Sequence, residues 1–257
     1  MNTTQFLTSE WIWSPVAMVC AAAALILYFR QFGWSAKAWW MIAAAAVVLL
    51  TLMSPLAALA QGYLFSAHML QHILLLLVAP GLALMALPEG TLTPPRLARL
   101  LHPVLCWACG VGAMWLWHAP ALCDAAATSR AVSAVQTLSL LGLGAAFWWQ
   151  VAAPCEAQRI PPLQGVVYLF SACVGCTALG IIFTLSPITV CKAYVHPADL
   201  LGIEPMLVGT WGMTPVRDQQ VGGLLMWVPM CLVYLGAIFG QLARWYGAPA
   251  EPSLSNA

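Results

Sequence analysis

Charge is what this chain has least of. Its 257 residues carry nine Lys or Arg and eight Asp or Glu, 7% of the whole, against roughly 25% in ordinary soluble domains. A soluble globule of this length could not cover its surface with so few charged groups. A disordered chain is excluded by a hydrophobic content of 62%. The net charge of +1 leaves no electrostatic footprint for nucleic acid. Internal repeats, linkers and signs of a second domain are also lacking. The apolar runs are too long and unbroken for the alternating strands of a membrane barrel.

What is present is apolar length. The mean hydropathy is +0.87. Seven stretches, 14–29, 38–60, 63–87, 103–119, 131–152, 164–185 and 220–243, are candidates to cross a bilayer. They predict an all-α integral membrane protein, a bundle of seven transmembrane helices. Residues 1–246 form a single domain in this reading, with a long loop at 186–219 and a disordered tail at 247–257. Pro55, Pro80 and Pro229 fall inside spans and predict kinks with freed carbonyls.

The few basic residues orient the bundle. Arg30, Lys37, Arg96, Arg99, Arg159 and Arg244 fall on one side; Arg130, Lys192 and Arg217 fall on the other. The positive-inside rule places the first group in the cytoplasm. The N-terminus and the long loop are then outside, and the C-terminus is cytoplasmic. No Lys or Arg precedes the first apolar run, so it reads as a retained span rather than a cleaved signal. The nine cysteines are scattered and odd in number, unlike a secreted disulfide framework. Cys123 and Cys191 both fall outside, where a disulfide is chemically allowed.

Polar groups inside a bilayer are costly, which makes them functional candidates. His68 and His72 are four apart in Ser66-Ala67-His68-Met69-Leu70-Gln71-His72, so both imidazoles share a helix face. That spacing suits ligation of a metal or haem, or hydrogen bonding between helices. No Glu follows His68, so zinc-protease chemistry is not indicated. His118 ends the run Trp115-Leu116-Trp117-His118-Ala119-Pro120, where an interfacial role is the plainer reading. Asp218 precedes the seventh span as an N-cap carboxylate or a functional one. The predicted orientation brings His68, His72, His118, Asp218, Met69 and Met226 into the same outer half. Imidazole with soft sulfur favours copper; imidazole alone suits zinc or haem iron equally. Cys173 and Cys176 share a face of the sixth span, as a Cu(I) or thiol-exchange pair or simply as small packing residues.

These blocks together resemble the polytopic CtaG family of cytochrome c oxidase assembly factors. The resemblance rests on the His68–His72 block with Val78-Ala79-Pro80, on Trp115 to Pro120 with Asp124, and on Phe147-Trp148-Trp149. Thr177-Ala178-Leu179-Gly180 and Asp218 through Pro229 complete it. It implies a non-enzymatic, seven-span protein of the bacterial cytoplasmic membrane, needed for maturation of a haem-copper oxidase. Copper, transiently held by histidines, would be delivered to the oxidase; the implied partners are oxidase subunits and a copper donor. The chain departs from the family in one respect. Members usually carry another His near the outer start of span five, where Gln136 or Thr137 stands here. Cys123 and Cys176 also replace residues more often not thiols, and Cys176 joins the candidate ligands for that reason. Two other classes remain open: a haem- or quinone-linked electron-transfer protein, and a copper transporter.

Overall fold

The computed structural model describes residues 2–93 and 95–247, without the side chains of residues 95 and 96. The predicted tail lies outside the described residues from 248 onward. Among the described residues all regular structure is helical. Helix α1 covers Thr3–Ser9, α2 Pro15–Phe32, α3 Ala38–Met53 and α4 Pro55–Ala60. Helices α5 (Phe65–Ile73) and α6 (Ala79–Ala86) continue through a π-helical turn at Leu74–Val78. Then follow α7 (Pro95–Ala98), α8 (Pro103–Trp117), α9 (Pro120–Thr128), α10 (Arg130–Ala152), α11 (Pro162–Leu185) and α12 (Pro215–Tyr246).

Five helical rods are long and apolar enough to cross a membrane: Pro15–Phe32, Phe65–Ala86, Arg130–Ala152, Pro162–Leu185 and Pro215–Tyr246. Helices α8 and α9 make a sixth if counted together, although they bend by 75° at their junction. The second expected span, 38–60, is the exception. Helix α3 ends at Met53 and has 16 residues, about 24 Å of rise against a hydrocarbon core of about 30 Å. The cause is Pro55, which disfavours helical geometry at the residue before it; Ser54 is extended, with ψ 172. The same rule ends α8, because Pro120 holds Ala119 at ψ 131. The seventh span starts earlier than its apolar run, at Pro215, because the Thr214 side chain caps the N–H of Arg217.

Two further clusters mark opposite ends of the bundle. At one end Phe6 of α1 packs with Leu59, Tyr63, Ile203, Met206 and Leu207. The chain start, the α4 turn and the 186–214 segment therefore share that end. At the other, Tyr28, Ala38 and Ala86 pack together, and Lys37 pairs with Glu89 at 2.9 Å.

Pro80 shapes the middle of the Phe65–Ala86 rod. It has no N–H, and its ring excludes the carbonyl of Leu76 from a normal helical bond. The backbone widens just before it, with Ala79 N–H reaching Leu74 O. The Leu76 carbonyl is directed at α10, where only Gly144 leaves room; a Cβ there would lie 2.2 Å from that oxygen. Pro229 is absorbed inside the continuous α12.

Candidate functional site

Helix α5 begins without a cap of its own. Its first N–H groups lack intrahelical partners, and Leu64 before it offers no side-chain acceptor. Asp218 of α12 supplies one from across the bundle. Its Oδ2 accepts from Phe65 N at 2.6 Å, and its Oδ1 accepts from Ser66 N at 3.0 Å and from the Ser66 hydroxyl. A carboxylate at a helix N-terminus is favoured by hydrogen bonding and by the dipole. Asp218 therefore caps a neighbouring helix, not its own, where Thr214 does that work. Both of its oxygens are committed to α5, and it anchors the helix that carries His68 and His72.

The residues after Asp218 continue the joint. Gln219 accepts from Val190 N at 2.7 Å and donates to Ile188 O at 2.9 Å, tying α12 to the 186–214 segment. Gly222 lies against α5, where a Cβ would meet Phe65 Cδ1 at 2.5 Å. Gly223 lies against α11, where a Cβ would meet Thr184 Oγ1 at 2.4 Å and Thr184 N at 2.6 Å. The Asp-Gln-Gln-x-Gly-Gly block is thus where α5, α11 and α12 interlock.

The three span histidines are brought together and buried: His68 is 4% exposed, His72 1% and His118 3%. His68 and His72 have ring centroids 4.5 Å apart, as one face of α5 requires. His118 arrives from the α8–α9 break, 5.0 Å from His72. Its Nδ1 bonds the Met114 carbonyl, which makes Nδ1 the protonated nitrogen and leaves a lone pair on Nε2. That Nε2 faces Met69 Sδ at 2.9 Å. Two electron-pair donors therefore point at each other, a contact that a cation between them would relieve. Neither ring nitrogen of His72 reaches normal hydrogen-bond geometry, although the Gln136 side chain lies close enough to interact with it. Among the described residues no three His, Cys, Asp or Glu side chains are placed to hold one ion jointly. The convergence is of imidazoles with a thioether.

Gln136 of α10, at the position where the resemblance expects a histidine, is buried beside both α5 imidazoles. Its Nε2 lies 3.5 Å from His68 Nε2. A cavity of about 30 Å³ adjoins, lined by His68, His72, Gln61, Gln71, Gln136 and Thr137 among others. A single water needs about 10–15 Å³ measured in this way. The space suits an ion with a water or two.

The 186–214 segment closes the site. Cys123 of α9 and Cys191 form a disulfide with Cα atoms 5.9 Å apart. Ala193 N donates to Asp124 at 2.9 Å. These hold a short 3-10 turn, Lys192–Tyr194, whose Tyr194 ring packs on His68 and Phe65 at 5.8 Å. Burial, with Asp218 and Asp124 nearby, raises the Tyr194 hydroxyl well above its ordinary range. It stays protonated and donates to Ala60 O at 2.9 Å. Gln136, one of the two residues singled out where the resemblance expects a histidine, lines the site, and so does Tyr194, which nothing local distinguished.

The remaining candidates lie elsewhere. Met226 is fully buried one turn beyond Gly222 on α12, on the face that packs against α5. Cys176 is buried on α11, close to Tyr234 of α12. Of the two readings left open for Cys173 and Cys176, a thiol pair or packing residues, no contact between them is seen; Cys173 instead faces Cys231 of α12, with sulfurs 2.9 Å apart. Cys123, taken up in the disulfide, has no free thiol to offer a metal.

A family model described as cytochrome c oxidase caa3 assembly factor (Caa3_CtaG) matches residues 17–248. The chain belongs to this family. No curated protein and no solved structure matches it.

Proposed function

With that membership as premise, we propose that this protein carries copper to a haem-copper oxidase, holding it as cargo among His72, His68, His118 and Met69 once their side chains turn from the present arrangement, in which no three His, Cys, Asp or Glu side chains among the described residues share one ion. The observation that carries the reading is His72, buried with neither ring nitrogen in a hydrogen bond of normal geometry. A buried polar atom left unpaired costs about 1–3 kcal/mol, and ligation would remove that cost. Imidazole nitrogen with thioether sulfur is a donor set suited to copper. Gln136 in place of a further imidazole keeps the set ligand-poor, and a carrier must release what it binds. The cavity beside the histidines supports a bare ion over a porphyrin, which could not enter a space for one or two waters.

The proposal includes the membrane arrangement. Helix α3 is a short seventh crossing beside the longer rods, and the end bearing six of the nine basic residues is cytoplasmic. The site then opens toward the extracytoplasmic end of a bacterial cytoplasmic membrane, beneath the Tyr194 turn. The oxidase and a copper donor would meet the protein there.

The test is metal analysis of the detergent-purified protein, beside a His68→Ala/His72→Ala variant. Copper bound by the native chain and lost from the variant supports the reading. A Soret band would establish haem instead, and equal copper in both would remove the histidines from the site. In cells, deletion is expected to leave an oxidase with haem but little active-site copper. Normal oxidase copper in the deletion strain rejects the assembly role.

A further inference from the structure

The α11–α12 joint holds sulfur chemistry that the histidine cluster does not use. The sulfurs of Cys173 and Cys231 are 2.9 Å apart, and both are free thiols. A disulfide bond is about 2.05 Å, so the two thiols converge without being bonded. The Thr177 hydroxyl lies 3.1 Å from Cys231 Sγ, poised to donate to a thiolate there. Cys176 follows Cys173 by three residues on α11 and is buried. Two thiols aimed at each other, with the Thr177 hydroxyl alongside, form a ligand pair.

We propose that Cys173 and Cys231 form a second metal site, taking one soft monovalent cation of the Cu(I) class as a bis-thiolate between α11 and α12. Soft thiolates select such ions. Zinc prefers four ligands in a structural site, more than this pair supplies. Loading breaks two S–H bonds, forms two metal–sulfur bonds and releases two protons, with no change of oxidation state. Metal–thiolate bonds of about 2.3 Å allow a sulfur separation of at most about 4.6 Å. The sulfurs would part by up to about 1.7 Å, within reach of a side-chain rotation on each cysteine. This site stands on its own donors, so it and the histidine site fail independently.

The experiment is a Cu(I) titration of the full-length protein in detergent, without oxygen and against a competing chelator. On a His68→Ala/His72→Ala background, one equivalent of Cu(I) is expected to remain, with thiolate-to-copper absorption in the ultraviolet. Adding Cys173→Ala/Cys231→Ala is expected to abolish both. An unchanged equivalent in that variant overturns the proposal. The unsubstituted protein gives a second measurement that does not depend on variants folding. Cu(I) is expected to slow maleimide alkylation of Cys173 and Cys231 at least tenfold, read by peptide mass mapping. Equal alkylation with and without Cu(I) overturns it. So does a count of five rather than seven thiols in the denatured chain, because the pair would then be a disulfide.

Discussion

Replacing Asp218 by alanine takes away the acceptor for three donors at the start of the histidine helix. Phe65 N, Ser66 N and the Ser66 hydroxyl all point at its carboxylate, which is 1% exposed. Losing a helix cap costs about 0.5–2 kcal/mol, and hydrogen bonds to a charged group are worth about 1.5–3 kcal/mol each. Water entering the vacated space satisfies some of the donors, which brings the expected loss to about 3 kcal/mol. For a chain of this size each kcal/mol moves Tm by about 2–4 °C, so the drop is about 6–12 °C. Thermal unfolding in detergent reads it directly. Asp218→Asn recovers only part of the loss: its carbonyl serves Ser66, but its amide sets a donor against Phe65 N–H. A Tm of the alanine variant within 2 °C of the native value would refute the cross-helix cap. Copper lost at unchanged Tm would make Asp218 a ligand instead.

Gly223→Ala forces a methyl into the Thr184 backbone nitrogen, 2.6 Å away. Overpacking of this kind costs about 1–3 kcal/mol, and a native Tm would show that α11 and α12 are further apart. Reducing the Cys123–Cys191 bridge, which spans 68 residues, is expected to cost about 2–4 kcal/mol and to speed hydrogen exchange in the Lys192–Tyr194 turn. Unchanged exchange there would mean that the bridge does not hold the turn. Gln136→His sets an imidazole where an amide now meets His68 and is expected to tighten copper binding at least tenfold, about 1.4 kcal/mol. Unchanged affinity in a chelator competition would detach α10 from the site. Glu89 is held below the usual carboxylate range by the hydrogen bond and charge of Lys37. A depressed carboxyl stabilises the fold above its unfolded value, and that contribution is lost as pH falls through the folded one. Stability of Glu89→Gln should therefore be less sensitive to acid below about pH 4. An identical acid profile would leave the exposed ion pair without effect.

Much of the site was legible in the sequence because helical periodicity is local. His68 and His72 had to share a face at a spacing of four, and ring centroids 4.5 Å apart follow. His118 was legible only as a polar residue before a helix-breaking Pro120; its approach to His72 depends on how α8 lies against α5. The facing partner of Cys173 was not legible for the same reason. Residues three apart share a face, but the closer sulfur belongs to Cys231 on the facing helix, 58 positions away. Asp218 was read as standing just before the seventh span, whereas α12 starts at Pro215 and Asp218 in its first turn caps α5, 152 residues from Ser66. The second span was overextended because apolar composition continues through Ser54 and Pro55 while the backbone turns.

By itself the sequence determined the class of the protein and the inventory of its polar groups. A chain with 7% charged residues and long apolar runs can meet its backbone hydrogen bonds in lipid only as helices. Its helix starts follow from prolines and their preceding caps, which act within a few residues. Only the tertiary structure decided which polar groups meet. It brought Gln136 and Tyr194 to the histidines, gave Asp218 to a neighbouring helix and turned Met69 toward His118. Those partnerships depend on the rotation and crossing of whole helices, set by close packing at positions such as Gly144, Gly222 and Gly223 and not by any local pattern.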